Sequence, residues 1–99
     1  MFDSILHQPN RLKILSILSV NEIVSFKMLQ EMMNLTKGNL SSHMKNLSQE
    51  GYVIVDKFFE NNKPKTVYKI SNEGRDALQK YLDEMEKFLI SIKQQSQTK

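Results

Sequence analysis

The sequence predicts a mainly α domain with one small β-hairpin and a long C-terminal helix. Three observations carry that prediction. Apolar residues recur at steps of three and four in four separate stretches, as they do in helices with one buried side. Between the third and fourth stretches come two runs rich in β-branched and aromatic residues, parted by a polar turn. Only two prolines and three glycines occur in 99 residues, so few positions interrupt regular structure.

The first helix is expected from Pro9 to Val20. Pro9 suits a first-turn position, where its missing N–H costs nothing. Leu12, Ile14, Leu15, Ile17 and Leu18 then form a wide apolar stripe. Ile5-Leu6-His7 ahead of it suggests a further helical turn. A second helix is expected from Phe26 to Met33, with the Ser25 hydroxyl capping a free backbone N–H of its first turn. Asn34-Leu35 turns into Thr36, the expected cap of a third helix, which stops near Glu50, where Gly51 accepts a left-handed conformation. Two short helices joined in this way make a helix-turn-helix unit, here about residues 25–50. Tyr52 to Phe59 and Thr66 to Ile70 are the expected strands of a hairpin over about 52–70, with Glu60 to Lys65 as the turn. Ser71 caps the last helix, about 72–94, whose first turn carries Glu73 and Asp76, where acids suit the helix dipole. Gln94 to Lys99 is polar and expected to fray.

The third helix has two unlike faces. Leu40, Met44 and Leu47 lie four and three apart and share one side. With that side inward, Gly38, Ser42, Lys45 and Gln49 point away, flanked by Asn39, Ser41 and Asn46. The outward face carries small residues, amides and a lysine, but no acid and no large apolar side chain. Such a face can enter a DNA major groove, lysine meeting phosphates and Ser or Asn meeting base edges; the plainer alternative is a solvated helix surface. The expected contact residues are Thr36, Lys37, Gly38, Asn39, Ser41, Ser42 and Lys45, joined by Lys63 and Lys65 on either side of Pro64 at the hairpin tip. Gly38 either lets the helix end approach a phosphate or is a tolerated first-turn glycine. The tip lysines either meet phosphate and a narrow minor groove or protect a strand edge from aggregation. The hairpin lacks arginine, which favours backbone contact over deep insertion. Residues 37–69 hold six lysines against three acids, which is the whole net excess of +3, and a polyanion would gain counterion release there.

Leu78, Tyr81, Leu82, Met85, Phe88, Leu89 and Ile92 recur along the last helix as about two heptads of apolar seam. About twenty helical residues reach ~30 Å, longer than the small body beneath. The distal half is therefore expected to pair with a second copy, the alternative being a fold back onto the first helix. His7 and His43 read as packed structural residues. Arg11 is left open between a phosphate contact and an internal acid.

The order of elements is that of a winged helix, and several segments are familiar. Leu6-His7-Gln8-Pro9-Asn10-Arg11-Leu12-Lys13-Ile14-Leu15 resembles the opening of MarR- and ArsR-like regulators. Leu35 to Met44 resembles their recognition helix. Glu50-Gly51-Tyr52-Val53 and Ile70-Ser71-Asn72-Glu73-Gly74-Arg75 resemble the run into the wing and the exit from it. The resemblance covers about residues 5 to 90. It implies a winged helix-turn-helix with a long C-terminal dimerisation helix, one domain over residues 1–99, acting as a homodimeric transcriptional regulator. The recognition helix would lie in the major groove of double-stranded DNA and the wing on the adjacent minor groove or backbone. The chain departs from metal-sensing ArsR members in lacking their cysteine pair, and it has little material for the ligand pocket of larger MarR members, so no effector is implied.

Composition excludes other classes. The chain has no cysteine, hence no disulfide, thiolate metal site or cysteine nucleophile. Two histidines far apart make a metal site unexpected, and no cofactor is expected. There is no glycine-rich phosphate loop and no nucleophile paired with a base, so an enzyme is not expected. No apolar stretch approaches the ~20 residues of a membrane span, and Met1-Phe2-Asp3-Ser4 does not open a secretory signal, so the expected location is cytoplasmic with no membrane partner. The competing expectation is a winged-helix module that binds protein within a transcription or chromatin assembly.

Overall fold

The computed structural model describes residues 2–97. Its elements are α1 (Pro9–Ser19), β1 (Val24–Ser25), α2 (Phe26–Met33), α3 (Lys37–Gln49), β2 (Val53–Glu60), β3 (Lys63–Ile70) and α4 (Asn72–Gln97). The mainly α architecture with a hairpin between the third and fourth helices is the one the sequence predicts.

Side chains fix the helix starts. The Gln8 side chain accepts from Arg11 N at 2.8 Å ahead of Pro9, Ser25 Oγ accepts from Met28 N at 3.1 Å, and Thr36 Oγ1 accepts from Asn39 N at 3.1 Å. α2 ends on Asn34 in the left-handed conformation, φ 52°, and α3 gives way to Gly51 at φ 82°. Residues 4–6 form the single further turn that the sequence suggested, closed by His7 N donating to Asp3 O at 2.8 Å, and Asp3 Oδ1 takes the backbone N–H groups of Ile5 and Leu6 at 2.8 and 3.2 Å. That turn drives Leu6 into the core, where it is fully buried with Ile14, Leu15, Leu18, Leu29, Leu40 and Leu47. Each such leucine contributes roughly 2 kcal/mol of transfer free energy.

The sheet has the order β1-β3-β2, all antiparallel. β1 was not foreseen, since two residues carry no periodicity; Val24 pairs with Tyr68 and Ser25 with Val67. β2 keeps its expected length but starts and ends one residue later, β3 begins three residues earlier than expected, and the turn is shorter. Only Asn61 and Asn62 turn the chain, both left-handed at φ 53° and 62°, as a two-residue hairpin turn requires. Pro64 suggested a turn to composition, yet it lies in β3 opposite Phe59. β1 reaches only Val67 and Tyr68, so at Pro64 the strand has an open side where a missing N–H costs no ladder bond.

α4 also exceeds its expected end. It continues to Gln97, so Gln94 to Gln97 are helical instead of frayed; Thr98 and Lys99 lie outside the described residues. Its start is latched to the end of α3. Ser71 N donates to Tyr52 O at 3.0 Å, the Ser71 hydroxyl donates to Gly51 O, and Gly74 N donates to Ser71 Oγ at 2.9 Å. Tyr52 donates its hydroxyl to Asp3 Oδ2, and burial together with that carboxylate raises the phenol pKa. Leu78 and Tyr81, expected to serve a partner, are only 5% exposed in the chain's own core. Tyr81 is held there by His7, whose Nδ1 lies 2.9 Å from its hydroxyl and whose ring stacks on Phe2. The apolar seam left outside the core is Leu82, Phe88, Leu89 and Ile92, with Met85 half-buried beside it.

Candidate nucleic-acid interface

α3 packs through Leu40, Met44 and Leu47, all buried. The opposite face is open: Thr36, Lys37, Gly38, Asn39, Ser41, Ser42 and Lys45 are exposed. The Thr36 hydroxyl accepts from Asn39 N as the helix cap, which leaves its own O–H free to donate to a ligand. A Cβ at Gly38 would meet nothing within 4 Å, so the protein itself does not require a glycine there.

Strand register decides what faces α3. Directly paired residues point to one side of a sheet and alternate along the strand. Val53 and Ile70, and then Val55 and Tyr68, point inward, which puts Lys57 with Thr66 and Phe59 with Pro64 on the same side. A cleft of about 490 Å³ lies between this side and the helices, bordered by Ser25, Phe26, Lys27, Lys37, Ser41, Lys57, Pro64, Lys65, Thr66 and Tyr68. An adjoining cleft of about 280 Å³ runs along α3 past Ser41, Met44, Lys45, Ser48, Val55, Lys57 and Tyr68. Neither lining contains an acid, so five lysines converge on one concave surface. Cations gathered in a cleft reinforce one another's field toward an anion.

Two of these cations, Lys27 and Lys57, were missed from sequence. Lys57 was legible in principle, since Val53, Val55 and Lys57 alternate; Lys27 carries no signal until α2 is placed. The hairpin lysines sit differently from expectation. Lys63 and Lys65 lie within β3, on the side opposite Tyr68 and Ile70 by alternation. Lys65 still borders the cleft, but its Nζ is 3.9 Å from Glu60 Oε2, an exposed pair worth at most about 1 kcal/mol.

Behind α3, Arg11 serves the fold: its Nε donates to Ile5 O at 2.6 Å. His43 is packed, as expected, yet its buried Nδ1 has no hydrogen-bond partner among the described residues. Burial first, then the Arg11 charge, lower its pKa below the ordinary 6.5. The folded state therefore takes up this proton less readily than the unfolded chain. Stability is full above the unfolded value and declines as pH falls from about 6.5 toward the lowered folded value. Thermal melts are expected to show a lower midpoint at pH 5.5 than at pH 7.5, and His43→Asn should flatten that difference. An unchanged pH dependence in the variant would assign the effect to other groups.

Among the described residues, no group of three or more His, Asp or Glu side chains could hold a metal ion. Among the same residues, no helix is long and apolar enough to cross a membrane.

Residues 10–89 match a sequence profile described as a winged helix DNA-binding domain. The chain is 41% identical over 75 residues to an uncharacterized protein of Methanocaldococcus jannaschii, a match that covers 76% of this chain and 82% of that one. Its structure is similar to a transcriptional regulator homologue from Pyrococcus horikoshii, with 30% identity, a TM-score of 0.83, and coverage of 89% and 87% of the two chains. It is also similar to PadR of Bacillus subtilis in complex with operator DNA, at 15% identity and a TM-score of 0.68. That match spans 76% of this chain and 48% of PadR, and it shows a shared fold alone.

Proposed function

The chain belongs to the winged helix DNA-binding domain family, and from that premise we propose that it regulates transcription by gripping specific duplex sites as a homodimer. The observation that carries this reading is the acid-free cleft in which Lys37, Ser41 and Lys45 of α3 face Lys57 of β2. In this arrangement α3 enters the major groove, with Lys37, Asn39, Ser41, Ser42 and Lys45 toward bases and phosphates. Lys27 and Lys57 join them as phosphate contacts, and the wing lies on the neighbouring minor groove or backbone. The unpartnered seam of Leu82, Met85, Phe88, Leu89 and Ile92 meets its symmetry mate and presents two recognition helices to two half-sites. The opening segment, Leu6 to Leu15, supports kinship with MarR- and ArsR-like members, and the action is non-enzymatic and cytoplasmic.

Lys45→Ala is expected to weaken binding of a labelled duplex several-fold and to reduce the slope of log affinity against log salt by about one. Ser42→Ala should weaken binding without altering that slope. Neither should shift the melting temperature, because both side chains are exposed. Binding that is absent, or insensitive to salt, would defeat the reading.

A second reading, a module that docks protein, is favoured by one observation. Val20, Ile23 and Ile54 leave apolar surface exposed, and Ile23 and Ile54 flank a small hollow with Val67. The same salt titration separates the two, since a protein partner leaves the duplex unbound.

A further inference from the structure

We propose that Phe59 is an apolar probe of the minor groove, carried by the wing into the groove beside the one that α3 enters; this rests on the duplex-binding reading above. Phe59 is 77% exposed, whereas a ring of that size ordinarily fills a core. Its place in the ribbon is well defined. The two-residue turn makes Glu60 and Lys63 the closing, hydrogen-bonded pair, so Phe59 and Pro64 form the next, non-bonded pair. Side chains stand closest in pairs of that kind, and the ring has a rigid proline beside it.

The direction of the ring follows from register. Phe59 shares its side of the sheet with Val55 and Lys57, which border the cleft against Ser41 and Lys45. It stands two residues farther out than Lys57, about 7 Å along the strand. With α3 in the major groove, this tip is the part of the wing farthest along the ribbon from the cleft, and so the part directed toward the adjoining minor groove.

Two features select duplex DNA over a protein as the occupant. The surroundings are cationic: Lys57 precedes the ring on its own side, Lys63 and Lys65 flank Pro64, and Lys27 and Lys37 stand across the cleft. Glu60, the neighbouring acid, is already drawn to Lys65. Protein-binding cores are depleted of lysine, whereas such a setting follows a phosphate backbone. The shape is also that of a wedge, one ring and one proline at the end of a narrow ribbon. Apolar side chains of this kind enter the minor groove, loosen a base step and bend the duplex. Phe59 thus supplies the penetrating contact for which the wing has no arginine.

The test uses the full chain and a fluorescein-labelled mixed-sequence duplex of about three helical turns. Phe59→Ala is expected to weaken binding about tenfold while leaving the salt slope unchanged, because no charge is lost. The chain has no tryptophan, so Phe59→Trp reports from the wing tip alone, and saturating duplex is expected to quench and shift its emission. Wild-type affinity in Phe59→Ala, or an unmoved Phe59→Trp spectrum, would overturn the proposal and leave the duplex-binding reading intact. No duplex binding by the unaltered chain would overturn both. A changed sedimentation profile in Phe59→Ala would place the ring between copies of the chain and likewise overturn the proposal.

Discussion

Gly74→Ala is expected to destabilise the protein by about 3 kcal/mol, at the upper end of what overpacking costs. The sign is informative, because alanine in place of a helical glycine ordinarily stabilises by up to about 1 kcal/mol. Here a Cβ would lie 2.2 Å from Tyr52 O and 2.9 Å from Ile70 Cγ1. The Tyr52 carbonyl cannot retreat easily: it accepts from Ser71 N, and its residue is tied to Asp3 through the hydroxyl. For a domain of this size the loss amounts to roughly 15 °C in melting temperature. Circular dichroism melts and urea titration would read it. Gly38→Ala is the control, since its Cβ meets nothing within 4 Å and stability should hold or rise. Equal melts for wild type and Gly74→Ala would show that α4 can move away from the α3–β2 connection at little cost.

Leu89→Glu is expected to convert the protein from a pair of chains to single 11.6 kDa chains. Leu89 is 49% exposed and Phe88 51% in the isolated chain, on a helix of 26 residues whose stretch from Glu86 to Ser96 is exposed throughout; among the described rings, Phe88 meets only Phe2, edge to face. Placing a carboxylate in an apolar seam without a partner costs several kcal/mol, so the dissociation constant should rise roughly a thousandfold. Analytical sedimentation across a concentration series reads this directly, and the same variant should lose affinity for a two-half-site duplex while its melt stays close to wild type in dilute solution. Wild-type sedimentation in the variant would refute pairing through this face. Leu78 and Tyr81 cannot serve as substitutes in such a test, because their loss would damage the core.

Most of the fold was legible in the sequence wherever a local rule and the core agreed. Ser25, Thr36 and Gly51 mark helix ends by side-chain or backbone chemistry, and the ends of α2 and α3 fall where those residues put them. Legibility failed where tertiary context outweighed composition. Lys63-Pro64-Lys65 has the makeup of a turn, but Asn61-Asn62 closes the hairpin by itself and frees the following residues to pair. β1 is defined only by its partner strand. The seam was recognised from its period, yet periodicity does not reveal which of its residues the chain's own core consumes; Leu78 and Tyr81 are taken by the buried cluster around α1. At the interface, the outward residues of α3 followed from its apolar stripe. Lys27 and Lys57 needed register and packing before they could be placed beside it, and Phe59 looked like strand filler until its exposure was known.

The latch between Ser71, Gly74 and the Gly51-Tyr52 peptide has a mechanical outcome for any paired assembly. Its three hydrogen bonds oppose a swivel between the end of α3 and the beginning of α4, so the arm is expected to behave as a stiff caliper. The gap between two such reading heads would then be dictated by helix length and crossing angle, both inherited from the seam. An operator with its halves displaced by a few base pairs would present one of them on the wrong side of the double helix, and the jaws, stiff at that joint, would engage only the other.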